Sequence, residues 1–192
     1  MLDKSVPFAG FFMRRNGGAP IPDFPLPDGF RFSFFKEGDE ARWARIEASV
    51  LEFYSEFAAL LFFTENFLPY PRELRSRCLF VENSSGSMTG TTTAWWSDIS
   101  GERRPWIHWV GVDPMYQGLG IGKAIVAQAL RVMTELEGDV NFYLKTQTWS
   151  YKAIGVYRAC GFEPTDEKKL YISRENNYKK AMRILRRIGK RY

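Results

Sequence analysis

Apolar positions along the chain fall into two kinds of block. Short runs rich in aromatic and β-branched residues, bounded by Gly, Ser, Asp or Asn, predict strands at Phe30–Phe35, within Leu74–Glu82, at Met88–Ser97, Trp106–Val112 and Asn141–Thr146, with one or two more around Phe162–Ser173. Turns separate them at residues 84–86 and at Gly101. Longer stretches predict helices: one or two over Glu40–Phe67, rich in Phe and Leu with Asp39 as N-cap; one over Gly120–Glu137, ending on Gly138 as its C′ residue; and one over Ser150–Cys160, stopped by Gly161. Residues 1–29 are rich in proline and glycine and read as an irregular arm. The order of elements predicts an α/β fold with a mixed sheet and helices on both faces.

Composition narrows the class. A chain of 192 residues suits one domain with a sizeable core, and 45% hydrophobic with 16% aromatic residues argues against disorder. The longest apolar run, Phe57–Phe63, falls well short of the roughly 20 residues a spanning helix needs. The Val6–Met13 stretch is broken by Pro7 and Gly10 and lacks a basic flank, which reads against a signal peptide. Cys78 and Cys160 are too few for a disulfide framework and lack metal-ligand spacing, so a reducing, cytoplasmic setting is expected and no metal. Cys160 falls on the apolar face of its helix and reads as a small core residue.

The net charge of +5 is unevenly placed. Residues 174–192 carry eight Lys or Arg against one Glu, so the preceding 173 residues sum to −2. In this tail Tyr178, Ala181, Met182, Leu185 and Ile188 recur at helical spacing, with Lys179, Lys180, Arg183, Arg186, Arg187 and Lys190 mostly on other faces. A basic amphipathic helix can grip RNA, an acidic partner or a membrane surface; the reading preferred here is a terminal helix docked on a 30–173 domain, with nucleic acid not the favoured partner.

The chemistry-bearing segment is Ile107 to Lys123, a strand, a tight turn and a glycine cluster opening a helix. Gly118, Gly120 and Gly122 allow close approach of the main chain to an anion, and the helix start offers unpaired N–H groups and a positive dipole end. Lys123 and the Gln117 amide can add donors. A Walker loop would need glycine where Gln117 stands and a hydroxyl where Ala124 stands. The G-x-G-x-x-G dinucleotide fingerprint fails because its third glycine comes one residue early.

The spacing does match Q/R-x-x-G-x-G/A, filled by Gln117, Gly120 and Gly122 and preceded by V-x-V-x-P as Val110, Val112 and Pro114. Downstream, Ser150, Ala153, Tyr157, Gly161 and Phe162 follow N-x-x-A-x-x-x-Y-x-x-x-G-F, with Ser150 where asparagine is usual. With this ordered pair of motifs, spanning about Leu79 to Phe162, the chain resembles the GNAT superfamily of acetyl-CoA-dependent N-acetyltransferases. The resemblance implies a sheet of six to seven strands and acetyl-CoA as cosubstrate. It also implies a cofactor cradle of Val110, Gly111, Val112, Gln117, Gly118, Leu119, Gly120, Ile121, Gly122, Lys123, Ser150 and Ala153.

Acyl transfer to an amine needs a base, an oxyanion donor and an acid for the departing thiolate. By resemblance Tyr157 is the acid. A free tyrosine titrates near about 10, above a thiol near about 8.5, so it would be protonated at neutral pH. The same residue could also simply pack with Ala153, Ile154 and Cys160. His108 shares the parity of Val110 and Val112 and is expected on their face. Arylalkylamine acetyltransferases have a histidine at this position, four residues before the second valine, so His108 reads either as base or as a core residue. Glu52, Glu56 and Glu65 are alternatives acting through water, and Glu52 with Glu56 could hold a cationic amine. The resemblance places the oxyanion donor at a backbone N–H near Val110 or Val112. Phe53, Tyr54, Phe57, Phe62, Phe63, Phe67, Tyr70, Trp95 and Trp96 read as an acceptor pocket or, preferably, as core.

The reading is direct transfer of an acetyl group to a primary amine of a small molecule, without a covalent acyl-enzyme and with a homodimer left open. Two alternatives remain. One is acetylation of a protein N-terminus or lysine, which calls for an open groove. The other is a non-catalytic acyl-CoA-binding module with a basic interaction tail.

Overall fold

The computed structural model describes residues 2–99, 101–167, 170 and 176–189. Seven strands form one sheet: β1 Gly10–Arg15, β2 Phe30–Phe34, β3 Cys78–Asn83, β4 Met88–Ile99, β5 Glu102–Val112, β6 Phe142–Gln147 and β7 Glu163–Thr165. Their order across the sheet is β2-β3-β4-β5-β6-β1-β7, and of these neighbours β5 and β6 alone run parallel. The helices are α1 Glu40–Ser49, α2 Glu56–Asn66, α3 Pro71–Arg77, α4 Ile121–Glu137, α5 Tyr151–Ala159 and α6 Tyr178–Arg187.

Alternation along the strands decides which helices cover which face. Phe11, Met13, Leu79, Val81, Ala94, Ile107 and Leu144 pack with Ile125, Leu130, Ile154 and Leu185 of α4, α5 and α6. Cys78, Phe80 and Trp95 point the other way and pack with Trp43, Ile46, Ala59 and Phe63 of α1 and α2. Helices therefore lie on both faces, as the α/β reading expects.

One segment departs from the sequence expectation and another sharpens it. The 1–29 arm is not irregular throughout, because Gly10–Arg15 is a strand inserted between β6 and β7. Phe11, Phe12 and Met13 are all fully buried, so this strand lacks the in-out alternation that marks a half-exposed one. The strand expected within Leu74–Glu82 is there as β3 from Cys78, and the residues before it belong to α3, which Pro71 starts at its first position. Asp39 is the N-cap of α1 as expected, but its carboxylate accepts from the Lys36 N–H and from Arg42 and makes no side-chain cap bond. At the C-terminal end α6 buries Ala181 and Leu185 and leaves Lys179, Lys180, Arg183, Arg186 and Arg187 exposed, so it is docked with a solvated basic face. Lys190 and any second strand within 168–173 lie outside the described residues apart from Leu170.

Two irregularities in β5 prepare the site. Its ladder with β6 holds only Trp106 opposite Tyr143 and Ile107 opposite Leu144; beyond them the two strands part. On its other side the register against β4 slips, with Thr93 opposite His108 but Thr91 opposite Gly111, so Trp109 and Val110 together face Thr92. Trp109 adopts φ 53, a left-handed conformation costly for a bulky residue. Its indole is gripped by Trp43, Phe53 and Phe62, with ring centroids 5.8, 5.0 and 4.9 Å away. That packing holds the bulge in place.

Candidate active site

Where β5 and β6 part, a cavity of about 590 Å³ opens. Gly118, Gly120, Ile121, Gly122 and Lys123 line it at the start of α4, Val110 and Val112 from β5, and Ser150, Ala153 and Tyr157 from α5. The two motifs, some thirty residues apart in sequence, thus meet across one space.

The glycine loop is built to leave its main chain bare. Gly118 and Gly120 hold φ 86 and 90, which favour glycine, and an added Cβ at either would meet no other atom within 4 Å. Gly120 is the N-cap of α4 and supplies no side-chain acceptor, so the first N–H groups of the helix remain available. The Gln117 side chain also lines the cavity; its Nε2 donates one N–H to the Val112 carbonyl at 2.8 Å, which ties the loop to β5. Lys123 lines the cavity with its ammonium 5.5 Å from the Phe24 ring centroid. Ser150 stands at the N-cap of α5 without making a side-chain cap bond, so its hydroxyl is not committed to the helix. A row of bare amides, a helix N-terminus and two lysines, Lys123 and Lys152, fit the diphosphate of a coenzyme A.

Tyr157 faces this cavity from a nearly sealed position, 7% exposed. Burial, and then the nearby Glu52 and Glu47 carboxyls and Cys160, raise its phenol above the ordinary value, so it stays protonated at neutral pH. Cys160 lies outside the cavity lining; its Sγ is buried 3.8 Å from the Lys123 carbonyl, and burial pushes its thiol up to about 11, as expected of a core residue.

His108 is not brought to this cavity. Parity put it beside Val110 and Val112, but the extra residue at the Trp109 bulge reverses the faces. Val110 and Val112 join the α4 side, whereas His108 lies beside Trp106, with ring centroids 6.4 Å apart, on the α1 and α2 side. There burial lowers its imidazole to about 4, and its Nε2 has no hydrogen-bond partner among the described residues. Gly111 faces the same way, and Leu119 stands half exposed outside the lining. The aromatic residues weighed as an acceptor pocket are not cavity-lining either. Phe63, Phe67 and Trp95 are core, and Tyr54 and Phe57 are 93% and 73% exposed.

The cavity also has walls that the motifs did not indicate: Leu2, Val50, Tyr116, Lys152 and Val156, together with Glu52. Val156 follows Ala153 by three residues on α5, so helical spacing carries its signal. Leu2 has no local signal. It arrives because its N–H donates to the Val50 carbonyl at 3.4 Å and Asp3 N–H donates to the Trp149 carbonyl at 2.9 Å, drawing the N-terminal segment over the cavity rim. Among the described residues no cluster of three or more His, Cys, Asp or Glu is placed to hold a metal, and no helix is long and apolar enough to cross a membrane.

Residues 43–162 match the model of the acetyltransferase (GNAT) family, which extends the match back from the glycine loop into α1. The chain is 30% identical over 124 residues to the N-alpha-acetyltransferase RimI of Mycobacterium tuberculosis, covering 61% of this chain and 75% of that one. It is 25% identical over 154 residues to a mycothiol acetyltransferase of Thermomonospora curvata, covering 75% of this chain and 48% of the relative, so it spans about half of that protein's length. In fold it is similar to a GCN5-related N-acetyltransferase from Sphaerobacter thermophilus, with TM-score 0.65 and 24% identity over 83% of this chain and 49% of that one. From its motifs, its sheet and its match over residues 43–162, the chain belongs to the GNAT acetyltransferase family.

Proposed function

We propose that the chain transfers the acetyl group of acetyl-CoA to a primary amine of a small molecule. One observation carries this reading: a single cavity joins the bare amides at the mouth of α4 to the buried hydroxyl of Tyr157. Acetyl-CoA, the cosubstrate of the family, would supply the reactive thioester. Residues 118–123 would hold its diphosphate, and Ser150 with Ala153 would flank its pantetheine arm. Tyr157 keeps its proton until a thiolate forms and then gives it up, so the leaving group departs as a thiol. Beyond Ile107 the β6-facing edge of β5 has no ladder partner among the described residues, and its main-chain groups between 108 and 112 are the candidates for polarising the thioester carbonyl. The N-terminal segment drawn over the rim favours a small acceptor over a long peptide.

A second reading, acetylation of a peptide N-terminus, has one observation in its favour, the 30% identity to a protein named as an N-alpha-acetyltransferase. Thiol release from acetyl-CoA, followed with a panel of small primary amines and a panel of short peptides, separates the two. The proposal expects release with small amines. Release with peptides alone would replace it by the second reading, and cofactor binding with no release at all would leave an acyl-CoA-binding module.

A further inference from the structure

We propose that Glu52 receives the acceptor as an ammonium ion and takes its proton, which makes the substrate class a monocationic alkylamine. This rests on the acetyltransferase reading above. Among the described residues that line the cavity, Glu52 is the one that carries a carboxylate. Leu2, Val50 and Val110 of the same lining are apolar, so the wall offers one carboxylate and apolar surface for the stem of the amine, while Lys123 and Lys152 line it as well and Lys4 acts on the carboxylate.

Several features fix this carboxylate in place. The α1 helix ends in a Schellman motif: Leu51 N–H donates to the Ala48 carbonyl at 3.0 Å and Glu52 N–H donates to the Glu47 carbonyl at 3.2 Å. The motif puts Leu51 at φ 69, in the position normally given to glycine. A leucine there costs on the order of 1 kcal/mol, strain of the kind that clusters at functional sites. Beyond the backbone, Gln147 Nε2 donates to Glu52 Oε1 at 3.2 Å. Gln147 is the last residue of β6, the strand whose departure from β5 opens the cavity, so the same splay that makes the space also supplies the residue that aims the carboxylate.

The other acidic candidates do not reach this place. Glu47 is fully buried and sits against Gly111, on the face of β5 away from Val110 and Val112, and Glu56 and Glu65 do not line the cavity. Glu52 lines the cavity while part of its side chain stays open to solvent; desolvation raises its carboxyl above the ordinary range, opposed by the Gln147 hydrogen bond and the Lys4 charge, and Glu47 and Tyr157 are the other titratable groups that act on it.

The proton count closes. An ammonium gives one proton to the Glu52 carboxylate. The free amine forms the N–C bond while the C–S bond breaks, and the sulfur takes the Tyr157 hydroxyl proton. The second proton leaving the nitrogen restores Tyr157. Glu52 then returns its proton to solvent, so one proton is released overall.

The test compares the wild-type protein with Glu52→Gln, an isosteric change, and reads thiol release with a series of primary alkylamines and with O-methylhydroxylamine, an amine uncharged at neutral pH. Calorimetric binding of coenzyme A reports separately that the variant is folded. The proposal expects kcat/KM for alkylamines to fall about 100-fold. It also expects the acidic limb of the pH profile to disappear, O-methylhydroxylamine turnover to change by less than about threefold, and coenzyme A binding to be kept. Equal alkylamine rates in both proteins, or an equal loss with both kinds of amine, would overturn it while leaving the acetyltransferase reading intact. A wild-type protein that binds coenzyme A but releases thiol with no amine would overturn both.

Discussion

Gly111 and Glu47 touch so closely that no side chain fits between them: a β-carbon at 111 would stand 2.6 Å from Glu47 Oε1 and 2.9 Å from Ile46 Cγ2. This contact seats α1 on the bulged end of β5, and Glu47 has no exposed surface through which to retreat. Gly111→Ala should therefore cost about 1–3 kcal/mol, read as a lowered urea midpoint with unchanged m-value. An unchanged midpoint would mean that α1 does not press on the strand there.

Both oxygens of Glu47 lack hydrogen-bond partners among the described residues, and burial, reinforced by Glu52, raises its carboxyl well above the ordinary value. A group whose folded pKa is raised favours the folded state fully below its unfolded value, near 4.5, and that contribution is lost as pH rises toward the folded value. Glu47→Gln should flatten the fall in stability above pH 4.5, measured by thermal melting across pH. A variant with the same pH dependence as the wild type would contradict the burial of this carboxyl.

His108 carries the opposite sign. Its folded pKa is lowered to about 4 from 6.5, so its contribution is present above 6.5 and is lost as pH falls through that window. The imidazole is not wholly sealed, so the effect is on the order of 2 kcal/mol rather than the full shift. His108→Gln should hold its melting temperature between pH 6.5 and 4 better than the wild type does. Activity should change less than in a variant of a cavity residue; a loss as large as that of Tyr157→Phe would return the histidine to the chemistry.

The limits of the sequence can be traced to particular residues. The glycine loop, α4 and α5 were legible because their spacing is set by local rules: φ above zero at Gly118 and Gly120, and Ala153 and Tyr157 one helical turn apart. The face of His108 was not, because one bulged residue inverts every parity beyond it, and Trp109 is held at φ 53 by rings from α1, α2 and the segment between them. β1 was hidden because Phe11, Phe12 and Met13 are buried on both faces and sit in a proline-rich neighbourhood. Leu2 and Glu52 reach the cavity through long-range backbone placement, which no local pattern encodes.

The glycines of the cradle should not be equivalent. At Gly120, φ 90 makes any Cβ strained, so Gly120→Ala should weaken coenzyme A binding by about tenfold, a strain on the order of 1–2 kcal/mol. Gly122 lies in ordinary helix with Val156 3.7 Å from an added Cβ, so Gly122→Ala should bind within about threefold of wild type. Calorimetric titration of both variants reads the difference; equal losses would mean that contact, not backbone conformation, shapes the loop.

The central claim is that the mouth of α4 presents a bound thioester to the Tyr157 hydroxyl, and Tyr157→Phe tests it most directly, with coenzyme A affinity and thiol release measured on the same preparation. The account predicts affinity within about threefold of wild type and turnover reduced by roughly 100-fold or more. Full turnover in the variant, or loss of coenzyme A binding along with it, would contradict the account, the first by removing the tyrosine from the chemistry and the second by making it a structural support of the cavity.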